Sequence, residues 1–109
     1  MDEDVSGMNQ RVALLRKHIR EWKANNQLEV QALQAIYARH QKHKNDASST
    51  TSPSEWLQII TDYEVELSNL SEGNYVQQDS IRVRQDQQIT DLEVQIKATR
   101  SRKRGNTHI

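Results

Sequence analysis

A chain of 109 residues has room for one small domain, and with 34% apolar residues, 5% aromatic and no Phe it cannot fill a thick globular core. Fifteen basic and fifteen acidic residues cancel to a formal net charge of zero, so the whole is neither a nucleic-acid coat nor a polybasic membrane protein. The absence of cysteine excludes disulfides, thiolate chemistry and cysteine-ligated zinc.

The first segment, residues 1–44, opens on acidic Asp2-Glu3-Asp4 and closes on basic Arg39, Lys42 and Lys44, a charge order that suits a helix dipole at both ends. The acidic opening is unlike a signal peptide, and no apolar run approaches the ~20 residues of a membrane span. A soluble intracellular or viral chain is expected. Alternating steps of three and four from Val5 visit Met8, Val12, Leu15, Ile19 and Trp22, then polar Asn26 and Glu29, then Leu33 and Ile36. That is an a/d heptad stripe with a polar interruption. A helix of ~40 residues is roughly 60 Å long, far beyond the usual element of a compact domain, so a coiled coil is predicted.

Residues 45–52 carry no apolar period and read as a loop. Ser52-Pro53-Ser54-Glu55 then starts a second helix, with Ser52 as N-cap, Pro53 as first helical residue and Glu55 completing a capping box. Ser52-Pro53 also has the form of a proline-directed phosphorylation site, and a phosphate there would suit the helix dipole.

The second helix is predicted over residues 53–100. Its stripe runs through Trp56, Ile60, Tyr63, Leu67 and Leu70, polar Asn74, and Ile81, then shifts phase by about one position to Ile89, Leu92 and Ile96. At Ser71-Glu72-Gly73-Asn74 either the helix breaks or Gly73 is tolerated at a cost of roughly 1 kcal/mol relative to Ala. Beyond it, 101–109 is expected to be a disordered tail. The basic run that enters it, with Lys97, Arg100, Arg102, Lys103 and Arg104, fits an import signal, a phosphate-binding tail or a solubilising end equally.

Folding the two helices back about a loop centred near residues 48 and 49 predicts an all-α antiparallel helical hairpin. In it Leu33 and Ile36 meet Ile60, Tyr63 and Leu67, while Val5 and Met8 meet Ile89 and Leu92. Asn26 then falls near Asn74 as a register pair, Trp22 near Tyr75, and Trp56 beside His40. Leu14, Leu28, Val30, Leu57, Ile59, Val76, Val83 and Val94 are left over, a second apolar face that another helical chain would cover.

No catalytic constellation is present: there is no phosphate loop, nucleophile elbow or metalloprotease helix. His40 and His43 share a helical face but lack a third ligand, and His18 and His108 read as solvated, so neither metal nor cofactor is expected. The function that follows is a non-enzymatic coiled-coil subunit assembling a larger hetero-oligomer, with a homo-oligomer as the simpler variant. The stripes would supply the contacts, and Trp22 and Trp56 the anchors. The basic end inclines this toward a nuclear or chromosome-associated assembly. Alternatives are a nucleic-acid-binding adaptor, perhaps viral, that uses the tail, and a cytoplasmic trafficking or tethering subunit in which the tail is idle. No membrane and no small-molecule substrate is expected.

Overall fold

A computed structural model describes residues 2–106, with side chains described from residue 5 to residue 102. It is all-α, with no strand among the described residues: α1 spans Asp2–Asp46 and α2 spans Pro53–Asn106. The antiparallel helical hairpin expected from the heptad stripes is the fold class found. The helices pair in two units. The terminal unit joins the chain up to Lys23 with the chain from Asp79 onward, and the loop unit is Ala24–Gln78.

Both ends of the loop are built by local bonds. The Ala47 amide donates to the His43 carbonyl at 3.1 Å, closing α1, and the Thr51 amide donates to the Ser48 carbonyl at 3.0 Å. Thr51 Oγ1 accepts from the Ser48 amide at 2.9 Å, which tightens the same turn. Ser52 then caps α2: its Oγ accepts from the Glu55 amide at 3.2 Å, and its carbonyl starts the helical ladder with Trp56 N at 3.0 Å. Such a cap stabilises a helix by about 1 kcal/mol.

α2 runs unbroken through Gly73, which has no positive φ and open space where a Cβ would stand. Gly73 therefore costs α2 about 1 kcal/mol of propensity without breaking it, because neighbouring turns hold the ladder on either side. The helix also continues past residue 100 to Asn106, so residues 101–106, expected in a disordered tail, are helical. The remainder of that tail, with His108, lies outside the described residues.

In the loop unit the helices meet along Ala32, Ile36 and His40 on α1 and Trp56, Ile59, Tyr63, Leu67 and Leu70 on α2, all buried or half-buried. The rings of His40 and Tyr63 stack at 3.9 Å with an interplanar angle of 15°. Beside them Arg39 pairs with Glu66 at 3.0 Å. In the terminal unit Ile81 and Ile96 are buried, Leu92 and Leu14 are half-buried, and Gly7 lets Ile96 approach to 3.4 Å of where its Cβ would be.

The register differs from a fold centred on the loop midpoint. Arg11 meets Glu93, His18 meets Gln88 and Trp22 meets Gln85 in the terminal unit. In the loop unit Glu29 meets Gln78 and His40 meets Tyr63. Each partner lies roughly two helical turns further along α2 than expected. The tight turn at Ser48–Thr51 accounts for this, since it lets the first turn of α2 overhang the end of α1. Asn26 consequently has no Asn74 opposite it: Asn26 is exposed, Asn74 half-buried.

Candidate functional site

The unexpected feature is which face of α1 the terminal unit buries. His18, only 5% exposed, occupies the contact line, with its Nε2 2.8 Å from Gln88 Oε1. Gln85, 7% exposed, accepts from the Trp22 indole N–H at 2.9 Å and donates to Glu21 Oε1 at 2.9 Å. Ion pairs flank this line. Arg11 grips Glu93 through two bonds of 2.5 and 2.8 Å, and Arg84 pairs with Glu21. The Arg11 hydrogen bond holds the Glu93 pKa below its ordinary value against an opposing desolvation, and the charges of Arg11 and Arg100 add to the lowering.

Putting His18 on the contact line turns the heptad stripe outward. Val5, Met8, Val12, Leu15 and Ile19 are 57%, 62%, 40%, 57% and 45% exposed. Val12, Leu15 and Ile19, expected between the helices, therefore lie outside the contact line and on its flank. Of the stripe residues in the terminal unit Trp22 alone is half-buried, because its N–H finds Gln85. The physical reason is a rotation of α1 by about one residue, near 100°. In the rotated setting four charged side chains pair and the buried amides are satisfied, leaving the apolar stripe unsatisfied instead.

On α2 the same displacement recurs. Ile81, Leu92 and Ile96 are inside, whereas Ile89 is 46% exposed and Gln88 takes its place. The expected phase shift beyond Ile81 is present: Gln88, Leu92, Ile96 and Arg100 follow at successive steps of four, one position past the strict heptad places Gln95 and Thr99, which are exposed. In the loop unit Ile36, Trp56, Tyr63, Leu67 and Leu70 are inside. Leu33 and Ile60 are 47% exposed, their places taken by Ala32 and Ile59. Asn25 and not Asn26 is the buried asparagine, and it donates to Glu29 Oε1 at 2.8 Å. Val30, Leu33, Leu67, Leu70 and Tyr75 line a shallow apolar groove beside it.

The sequence signal that could have located the contact line was the polar series His18, Asn25, Gln85 and Gln88. Polar residues at helical spacing carry no burial signal until their partners are known, so the apolar stripe prevailed.

Of the basic run, Lys97 and Arg102 are exposed and Arg100 is half-buried against the groove it shares with Arg11 and Glu93. The side chains of Lys103 and Arg104 lie outside the described residues. Ser52 Oγ is engaged as the helix cap. Among the described residues no group of three His, Asp or Glu is arranged to hold a metal ion, and no helix is long and apolar enough to cross a membrane. Neither a protein-family model, nor a curated protein, nor a solved structure matches the chain.

Proposed function

We propose that the protein is a non-enzymatic assembly subunit, which joins helical chains of a larger complex through the outward apolar stripe of α1. One observation carries this: five large apolar side chains at strict three-and-four spacing, Val5 to Ile19, stand 40–62% exposed in a chain with few apolar residues to spare. Solvated side chains of that size forfeit on the order of 1 kcal/mol each relative to burial, which a covering helix would recover. The heptad spacing selects a helix as that cover. In this reading the stripe is the part that faces partners, while His18, Gln85 and Gln88 fix the rotation that presents it.

The basic end of α2, Lys97 to Arg104, gives the proposal its nuclear or chromosome-associated setting. A reporter carrying that segment should enter the nucleus; retention in the cytoplasm would remove the setting and leave the assembly role. The assembly role itself is tested by the native mass of the protein in extracts of its source cell. Wild type should migrate well above a single chain, and Leu15→Glu with Ile19→Glu should migrate as a single folded chain. Wild type migrating alone, or a variant of unaltered native mass, would refute it.

A further inference from the structure

We infer that the terminal unit binds the phosphate backbone of a nucleic-acid duplex, without regard to base sequence. The binding surface is a ridge of Arg16, Arg20 and Lys23 on the side of α1 turned away from α2. This goes beyond the assembly role and does not rest on it, because the ridge and the apolar stripe are different surfaces.

The first observation is how charge is distributed. The chain is formally neutral, yet the terminal unit holds twelve basic and eight acidic residues, and the loop unit three and seven. A neutral average therefore covers one basic unit and one acidic unit. Attraction of a polyanion depends on the local field rather than on the average.

The second is where the surplus stands. Helix residues two apart point about 200° apart. Arg16 and Arg20 lie two residues either side of buried His18, and Lys23 lies two before buried Asn25. All three therefore project from the back of α1, and all are exposed. Arg20 is four residues from Arg16 and three from Lys23, the spacings that align side chains in a row. The same construction on α2 gives no such row. Two residues from buried Ile81, Gln85 and Ile96 stand Asp79, Val83, Gln87, Val94 and Ala98, with no basic residue among them.

The third is that the fold does not use these charges. In the same unit Arg11 pairs with Glu93, Arg82 with Asp79 and Arg84 with Glu21. Arg16, Arg20 and Lys23 make no ion pair with any of the described residues. Between Val5 and Leu28 α1 has a single acid, Glu21, which Arg84 and Gln85 engage. Lys17, their neighbour in sequence, turns instead to a groove that holds Asp91. Like charges at three- and four-residue spacing destabilise a helix, and an anion laid across them removes that repulsion.

The surroundings of the row select the anion. Asn9 and Gln27 extend the same line, so it carries hydrogen-bond donors and no large apolar anchor. Protein interfaces centre on apolar and aromatic anchors, whereas nucleic-acid interfaces are polar and basic. Single strands are held by bases stacking on exposed aromatic rings. The aromatic residue nearest in sequence, Trp22, is half-buried with its N–H on Gln85. A duplex, whose bases are already stacked, is the form the ridge fits, and contacts to phosphate alone read no base sequence. Arg16 follows Leu15 and Arg20 follows Ile19, so the ridge stands about 100° beyond the stripe and stays open when a helix covers it.

The test titrates full-length protein into fluorescent DNA and RNA duplexes, each in two unrelated sequences, and reads anisotropy at rising salt. Half-saturation should fall below about 100 µM at low salt and agree between sequences. The slope of log K against log salt should be about −2.7 or steeper, from three phosphates at about −0.9 each. Binding of the DNA duplex, the RNA duplex or both supports the ridge and names the source of the phosphates. Arg16→Gln, Arg20→Gln and Lys23→Gln together should weaken binding about tenfold and flatten the slope by about 2.7. Helicity, melting temperature and native mass in cell extract should stay those of wild type, so the ridge and the assembly role fail separately. No binding of either duplex would overturn the proposal, as would binding of phosphatidylserine vesicles without binding of a duplex. A triple variant that binds as wild type would also overturn it, leaving the basic end of α2 as the phosphate contact.

Discussion

The loop unit and the terminal unit solve the same problem, pairing two helices, with different chemistry. Toward the turn the loop unit does it with bulk: Ile36, Trp56, Ile59, Tyr63, Leu67 and Leu70 are buried or half-buried along its contact line, and His40 stacks on Tyr63. The Asn25–Glu29–Gln78 bonds lie at its far end. The terminal unit interposes a polar ladder, His18, Gln85 and Gln88, between flanking ion pairs, and reserves its best apolar row for the outside. Buried hydrogen bonds contribute modestly when made, about 1 kcal/mol each, but are costly to leave half made. They therefore fix rotation more than they add strength. A unit organised in that way can be specific about which face it presents while depending on a partner for much of its stability.

The contrast is sharpest for substitutions inside the apolar contact of the loop unit. Ile36→Ala should cost about 2–3 kcal/mol, the low end for a buried isoleucine because two helices enclose it incompletely. Leu33→Ala, at a side chain 47% exposed, should cost less than about 1 kcal/mol. Denaturant unfolding of both variants measures the difference. Equal losses would mean that Leu33 is covered in the working form and that the apolar contact of the loop unit is wider than Ile36 and its neighbours.

A smaller effect is expected in the terminal unit. Gln85→Ala leaves the Trp22 indole N–H without its acceptor and should cost about 1–2 kcal/mol. Tryptophan fluorescence should shift toward that of a more solvated indole. An unchanged melting curve would mean that water replaces the amide freely and that the ladder does not set the rotation of α1.

The smallest effect is a pH dependence. The fold lowers the Glu93 pKa beneath its ordinary 4.5, so the paired carboxylate contributes to stability above that value and the contribution fades as pH falls through the lowered one. Wild type should melt slightly above Glu93→Gln at neutral pH, and the gap should close as acidification carries the pH beneath 4.5 and through the lowered value. A gap that persists at low pH would show that Glu93 acts through packing rather than charge.

Much of the architecture was legible because it depends on local rules. The Ser52-Pro53 start, the polar break at 45–52 and the length of both periodic segments each follow from capping, propensity and periodicity. Gly73 was ambiguous in sequence, since a single glycine lowers helix propensity by an amount that long flanking helices absorb. The apolar stripe of α1 was equally legible, but its use was not. Counting apolar residues finds an amphipathic face without saying whether it turns toward the same chain or another.

What the amino-acid order determined by itself is two long amphipathic helices and the turn between them, because hydrogen bonds within a helix and its caps reach only a few residues. Tertiary structure alone decided the register and the rotation. Both depend on pairs such as Arg11 with Glu93 and His18 with Gln88, separated by most of the chain, whose complementarity appears only when the two helices lie side by side. A shift of one residue moves a helix face by about 100°, enough to exchange Ile19 for His18 at the contact and turn a would-be core into a surface.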